Sequence, residues 1–136
     1  MGGKSNAFEN LILAHTLGAV TFAAPGTVWA GLWTTTLDDT STGATAGEVS
    51  GGSYARVAIT NNQTNWPAPS GGTVKNGVAI TFPAATADWG TITHFSVLNA
   101  VSAGTILYWA ALTASKIVQN GDTAQFAIDA FVVTED

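Results

Sequence analysis

The sequence contains no cysteine, so it offers neither a disulfide bond nor a thiolate ligand for a metal. Charge is scarce as well: Asp, Glu, Lys and Arg make up 10% of the chain, against about 25% in ordinary soluble domains. Only four residues are basic, and the net charge is −5. This balance excludes a basic phosphate-binding surface, and no nucleic-acid partner is expected. No apolar run reaches the length of about 20 residues that a membrane-spanning helix needs, so no membrane partner is expected.

The residues that are present favour a β-rich domain. Hydrophobic residues make up 46% of the 136 residues, which is enough to build a core, and the length predicts a single domain over residues 1–136. Ala is frequent among these, and Thr and Gly supply much of the remainder. A neutral, hydroxyl-rich surface of this kind is typical of a subunit that works inside an assembly.

Alternation of apolar and polar residues predicts seven or eight short strands. The clearest pair flanks the corner at Trp89-Gly90: one strand runs over Val78–Phe82 and the next over Thr91–Val97. The other predicted strands are Thr27–Thr36, Tyr54–Thr60, Thr105–Thr113, Lys116–Val118 and Ala124–Thr134. The near-continuous apolar run of Thr105–Thr113 predicts a central strand buried on both faces. Asp38–Gly52 is expected to be a long exposed loop. The predicted fold is mainly β, an antiparallel β-sandwich or jelly roll with one short N-terminal helix.

The helix is predicted over Ala7–Leu17, within a segment of about residues 6–17. Asn6 is followed three residues later by Glu9, as in a capping box, with Ser5 as the rival cap. The apolar face comprises Phe8, Leu11, Ile12 and His15. A lone helix of this length needs a docking surface, which is either its own sheet or a neighbouring subunit.

Residues for catalysis are few and scattered. His15 falls on the predicted helix and His94 in a strand, and neither belongs to a metal-ligand motif. Asp38, Asp39 and Glu48 lack the register of a calcium-binding loop. Nucleophile-elbow and phosphate-loop motifs do not occur in the sequence. We therefore assign no catalytic, cofactor-binding or metal-binding residue, expect no cofactor, and predict a non-enzymatic protein.

Candidate partner contacts come from the helix face and the tryptophans. Trp29 and Trp33 lie on one face of a predicted strand, where they serve a core, a subunit interface or a sugar-stacking platform. The residues assigned to partner contact are Phe8, Leu11, Ile12 and Trp33, the last as an exposed aromatic. Each of the four is equally compatible with the chain's own core.

Four stretches of the sequence resemble a known family of phage proteins. They are KSNAFENLILAHTLG, GEVSGGSYARVAITNN, SGGTVKNGVAITFPAATADWGTITHFSV and LYWAALTASKIVQNGDTAQF, in that order. Together they are similar to small structural proteins of tailed-bacteriophage virions, which are labelled either as capsid decoration (cement) proteins or as tail-fibre proteins. The resemblance implies a non-enzymatic β-sandwich subunit that is present in many copies on a virion.

The leading functional hypothesis is a capsid decoration protein on the capsid surface. Such a protein binds the major capsid protein lattice and itself, as a homo-oligomer that analogy makes a trimer, and stabilises the shell by binding only its assembled form. The alternative is a tail-fibre or tail-adaptor module that binds a receptor or carbohydrate through Trp29, Trp33, Trp66 or the Asp38–Gly52 loop. A free-standing carbohydrate-binding module is a third hypothesis.

Overall fold

The computed structural model describes residues 2–135 and is mainly β, with one helix. The elements, in chain order, are β1 (Gly3–Lys4), α1 (Asn6–Leu17), β2 (Thr27–Trp33), β3 (Val57–Thr60), β4 (Thr73–Lys75), β5 (Ile80–Thr81), β6 (Gly90–Leu98), β7 (Ile106–Val118), β8 (Gln125–Phe126) and β9 (Val132–Thr134). All strand pairs are antiparallel. The predicted class is therefore confirmed.

A five-stranded sheet in the order β1-β7-β6-β2-β3 forms one layer, and two two-stranded sheets, β4-β9 and β5-β8, lie opposite it. Side chains from both layers meet in the main core. The ring of Phe95 on β6 lies 4.3 Å from that of Phe131 and 5.4 Å from that of Phe126, centroid to centroid. The result is a sandwich-like arrangement with an aromatic centre.

The reverse face of the large sheet carries a second, smaller cluster of Trp33, Leu37, Leu98 and Ile106. Trp109 packs against this cluster. In the neighbouring Asp38–Gly52 segment Ser41, Gly43 and Val49 are buried, Val49 as part of the main core. The segment is a loop, as predicted, and eight of its 15 residues are exposed, so the prediction fails only at these three buried positions. The segment has few large apolar residues, and its burial depends on hydrogen bonds to the distant Arg56.

Strand ends differ from the predictions where tertiary pairing decides them. The predicted strand Ala124–Thr134 is two strands, β8 and β9, and a turn between them sends each to a different partner. Lys116–Val118 continues β7 and is not a separate strand. The strand predicted over Thr105–Thr113 to be buried on both faces is fully buried only at Ile106 and Leu107, and the rest of that range is half-buried or exposed.

The corner around Trp89 links the two layers of the sandwich. β5 pairs with β8 in a small sheet, whereas β6 lies in the large one. Trp89 is buried between them and its Nε1–H donates to the carbonyl of Gly52 at 2.9 Å. Gly90 adopts a φ of +88°, which a residue with a Cβ atom rarely takes. The predicted corner at Trp89-Gly90 is confirmed.

Among the described residues, no helix is long and apolar enough to cross a membrane.

Candidate partner-binding surfaces

One side of α1 is fixed to the chain's own sheet. Ser5 caps the helix and accepts a hydrogen bond from the amide of Phe8 at 3.2 Å, so the cap is Ser5 and not Asn6. The ring of Phe8 is buried and packs edge-on against Phe22 at 5.4 Å and Tyr108 at 5.3 Å. Nδ1 of His15 accepts a hydrogen bond from the amide of Phe22 at 3.1 Å. The helix therefore has a defined orientation on β7.

The opposite side of the helix is apolar and exposed. Leu13 is 55% exposed, Leu17 84% and Val20 56%. At about 100° of rotation per residue, Leu17 points about 180° away from Phe8. Val20 lies just past the helix end, where its amide donates to the carbonyl of Ala14 at 3.0 Å. We call this surface, which Asn6 and Asn10 extend towards the N-terminus, the outer face of α1.

A second apolar surface is a groove beside Trp66 and Tyr108. Two adjoining cavities of about 250 and 450 Å³ share Trp66, Val74, Tyr108 and Val133 as walls. Glu135 lies at its rim, where its carboxylate binds the ammonium of Lys4 and accepts a hydrogen bond from the Tyr108 hydroxyl. Burial, with the nearby Glu135 charge, raises the pKa of Tyr108 to about 12. The polar groups at the rim are therefore already paired with one another.

A third groove, of about 470 Å³, lies along the exposed half of β7. The register between β6 and β7 shifts in that half: His94 pairs with Ala111, whereas Ile92 pairs with Lys116. The single residue Thr93 of β6 therefore lies opposite four residues of β7. The extra residues of β7 form a bulge over the groove. Leu112, Ile117 and Phe126 supply its apolar wall.

Arg56 centres a buried polar network on the side of the Asp38–Gly52 segment. All five of its N–H groups donate: two to the carboxylate of Glu48 and three to the carbonyls of Gly43, Ala100 and Ala103. The hydroxyl of Tyr54 donates to the same carboxylate, and its burial raises the pKa of that phenol. Every donor of Arg56 is engaged within the chain, so the network acts as an internal brace.

The two histidines and the acidic loop residues have structural partners. His94 is buried, which lowers its pKa, and its Nδ1 lies 2.9 Å from the hydroxyl of Thr93. Hydrogen bonds from the side chain and amide of Thr40 lower the pKa of Asp38. Within residues 2–135, no three His, Asp or Glu side chains converge as a metal site would require.

The four residues assigned to partner contact fall in different environments. Phe8 and Trp33 are buried in the chain's own core, and Ile12 is half-buried against it. The expectation that Trp33 is exposed is wrong: its side chain is 0% exposed, and its Nε1–H donates to Ser96 Oγ at 2.7 Å. Leu11 alone among the four is exposed.

Sequence reasoning missed Leu13, Leu17 and Val20, the most exposed apolar residues of this region. Their signal was visible as a second apolar stripe on the side of the helix opposite Phe8. A helix with apolar residues on two sides docks one of them, and spacing alone does not tell which.

By its structure, the chain is an antiparallel β protein with one docked helix. It has exposed apolar surface, which in other proteins often marks a contact with a partner. Residues 3–134 match the model of a family described as Podophage GP4 fiber I protein gp80, and the chain belongs to this family of phage virion structural proteins. The resemblance to tailed-phage structural proteins is thereby confirmed. The comparison with curated proteins gives no match.

Proposed function

We propose that this chain is a non-enzymatic subunit of a virion fibre, joined to its neighbours through the outer face of α1. The observation that carries the proposal is the exposure of Leu13, Leu17 and Val20 on a helix whose other side is already docked. The family description, which names a fibre protein, supports the same position.

Burial of the outer face gives a physical reason for assembly. Fully burying one leucine side chain contributes about 1.5–3 kcal/mol. The surface contains no charged residue that would have to be desolvated, since Asn6 and Asn10 are its polar members. A subunit held in an assembly covers these side chains, whereas a free subunit leaves them in water.

The fibre position replaces the capsid surface as the leading hypothesis. The capsid hypothesis rested on resemblance to a family with mixed labels, and the matched family description names a fibre and no capsid role. A decoration protein on the major capsid protein lattice is the competing outcome of the test below.

Gold-labelled antibody fragments against the purified chain, viewed on intact virions by electron microscopy, test the proposal. We expect label on fibres at the tail end of the particle. Regular label over the head lattice would overturn the fibre position in favour of capsid decoration. Virions pre-treated with an excess of the free chain-specific fragment provide the control for non-specific gold.

A further inference from the structure

We infer that the open side of the sandwich at β7 receives an extended strand from a neighbouring protein subunit. This strand pairs with β7 through its main chain and places apolar side chains in the groove beside it. The contact lies on a different surface from the outer face of α1, and it goes beyond the proposed function. Two independent features point to this occupant: a stretch of β7 without a strand partner, and an apolar groove that reaches the core.

The middle of β7 has no strand partner on either side. Leu112–Ser115 have no partner residues on β6, and on the opposite side β1 pairs only with Tyr108 and Trp109. Outside the sheet ladders, no backbone hydrogen bond joins these four residues to the rest of residues 2–135. Their main-chain N–H and C=O groups are therefore available to another extended chain, as at the edge of any sheet.

The groove beside this stretch opens directly onto the main core. Leu32, Ile92 and Val118 line it, and all three are buried core residues. Its outer wall on one side is β7, and on the other side it is Asp122–Phe126, which includes β8. Since β8 pairs with β5 alone, no strand of the described chain closes the gap of about 470 Å³ between the two layers.

The wall formed by β7 keeps the alternation of a strand through the bulge. Leu112, Ala114 and Lys116 line the groove, whereas Thr113 and Ser115 do not. A strand laid beside this wall would likewise direct every second side chain into the groove, at a spacing of about 6.4–6.8 Å. The groove and the unpaired main chain therefore suit the same occupant.

An extended peptide satisfies both features, whereas other occupants satisfy only one. A small apolar ligand would fill the groove and leave main-chain groups of β7 beside it without partners, at a cost of about 1–3 kcal/mol for each buried group. A helix uses its main-chain groups internally and has none to offer along its side. A strand added to a sheet edge supplies main-chain hydrogen bonds, and the adjoining groove accepts its alternate side chains.

The charges around the groove favour an uncharged strand. Of the described residues that line it, only Lys116 and Asp122 are charged, one of each sign. The carboxylate of Asp122 already accepts a hydrogen bond from the amide of Gln119 at 2.8 Å. A lysine and a bulge at a sheet edge also hinder indiscriminate pairing. We therefore expect binding only to a strand whose side chains fit the groove.

Hydrogen exchange of the chain in isolation and within purified virions measures the pairing. We expect the amides of Leu112–Lys116 to exchange rapidly in the isolated chain and about tenfold or more slowly in virions. Phe95–Val97 of β6, which is paired on both sides, should exchange slowly in both samples and is the internal control. Rapid exchange of Leu112–Lys116 in both samples would overturn the inference.

Substitutions at Ala114 separate main-chain pairing from side-chain contact. Ala114→Pro removes one main-chain donor and hinders strand addition. Because Ala114 is exposed and has no partner on β6, the variant should keep the thermal stability of the wild type. Ala114→Trp keeps the donor and fills the groove, and Ala114→Ser, which changes neither, is the matched control.

Immunoblots of purified particles assembled with each variant give the readout. We expect about a tenfold lower amount of the chain with Ala114→Pro and with Ala114→Trp, equivalent to about 1.4 kcal/mol of binding free energy. Ala114→Ser should give the wild-type amount.

Two results of this comparison would overturn the inference. Wild-type amounts of both Ala114→Pro and Ala114→Trp would show that the open side is free in the particle. A loss with Ala114→Trp and none with Ala114→Pro would show an occupant that contacts the groove through side chains alone. Antibody labelling of wild-type virions reports the fibre position independently, so failure here leaves the proposed function intact.

Discussion

At the scale of single residues, Arg56 holds together segments that are distant in sequence. Its guanidinium joins Glu48 and Gly43 of the covering segment to the turn at Ala100 and Ala103. The side chain lies in the interior, so each donated bond replaces one that water would otherwise supply. A single cation thereby orders a segment that has few apolar side chains of its own.

Replacing Arg56 should lower the free energy of unfolding substantially. Arg56→Met removes the cation that pairs with the Glu48 carboxylate and the donor to three carbonyls, and we expect a loss of about 3–5 kcal/mol in the free energy of unfolding. Arg56→Lys should recover only part of it, because an ammonium cannot reproduce the planar fork. Urea denaturation measures the loss. Lys75→Met, at an exposed cation, is the control and should stay within about 0.5 kcal/mol; an equal effect there would contradict the assignment.

We expect Trp33 to contribute to the stability of the fold rather than to ligand binding. Trp33→Ala empties a fully buried site beside Leu37, Leu98 and Ile106, so we expect a destabilisation of about 3–5 kcal/mol. Thermal unfolding followed by circular dichroism checks it. Ser96→Ala removes only the acceptor of the indole N–H and should cost about 1–3 kcal/mol. A Trp33→Ala variant as stable as wild type would show that the ring is not part of the core.

At the scale of elements, α1 depends on its first turn. Ser5 Oγ accepts from the Phe8 amide and donates to the buried carbonyl of Ile106 on β7, so one hydroxyl both caps the helix and ties it to the sheet. Asn6, which the capping-box pattern favoured, is exposed as the first helical residue.

The two rival caps can be separated by mutation. Ser5→Ala should lower the free energy of unfolding by about 1–3 kcal/mol, because it removes the cap and leaves the Ile106 carbonyl unpaired. Asn6→Ala should change it by no more than about 0.5 kcal/mol in dilute, monomeric protein. Guanidinium denaturation of both variants gives the comparison. A larger loss of unfolding free energy in Asn6→Ala than in Ser5→Ala would show that Asn6 is the cap.

At the scale of the whole molecule, both tyrosines join parts of the chain that are far apart. Tyr54 links β2 to Glu48, and Tyr108 links β7 to Glu135. Burial is the largest cause that raises the pKa of each phenol, and it raises that of Tyr108 to about 12. The folded protein therefore holds both phenolic protons more tightly than the unfolded chain does.

Because folding raises the pKa of both phenols, the folded protein should lose stability at alkaline pH. The contribution of Tyr108 is fully present below the unfolded pKa of about 10, and it is lost as pH rises from there through about 12. Tyrosinate absorbance and unfolding, followed together against pH, should show both phenols ionising above pH 10. Tyr108→Phe should remove one of the two steps. Ionisation of both tyrosines near pH 10 in folded protein would contradict the burial.

The amino-acid sequence by itself determined the β class, the single helix near the N-terminus and the corner at Trp89. Each rests on local information: period-two alternation, period-3.6 spacing with a cap, and a large ring next to glycine. The same local information located the main strands β2 and β6 to within a few residues.

Only the tertiary structure decided which surfaces remain free. The helix has apolar residues on two sides, and the sheet buried Phe8 and left Leu17 in water. Trp33 is buried because Leu98 of β6 and Ile106 of β7 pack with it in the second cluster. β8 and β9 separated because their partners, β5 and β4, lie in different small sheets. The apolar pattern of a sequence indicates which side chains need to be buried, whereas long-range pairing determines which of them the chain itself buries and which stay exposed.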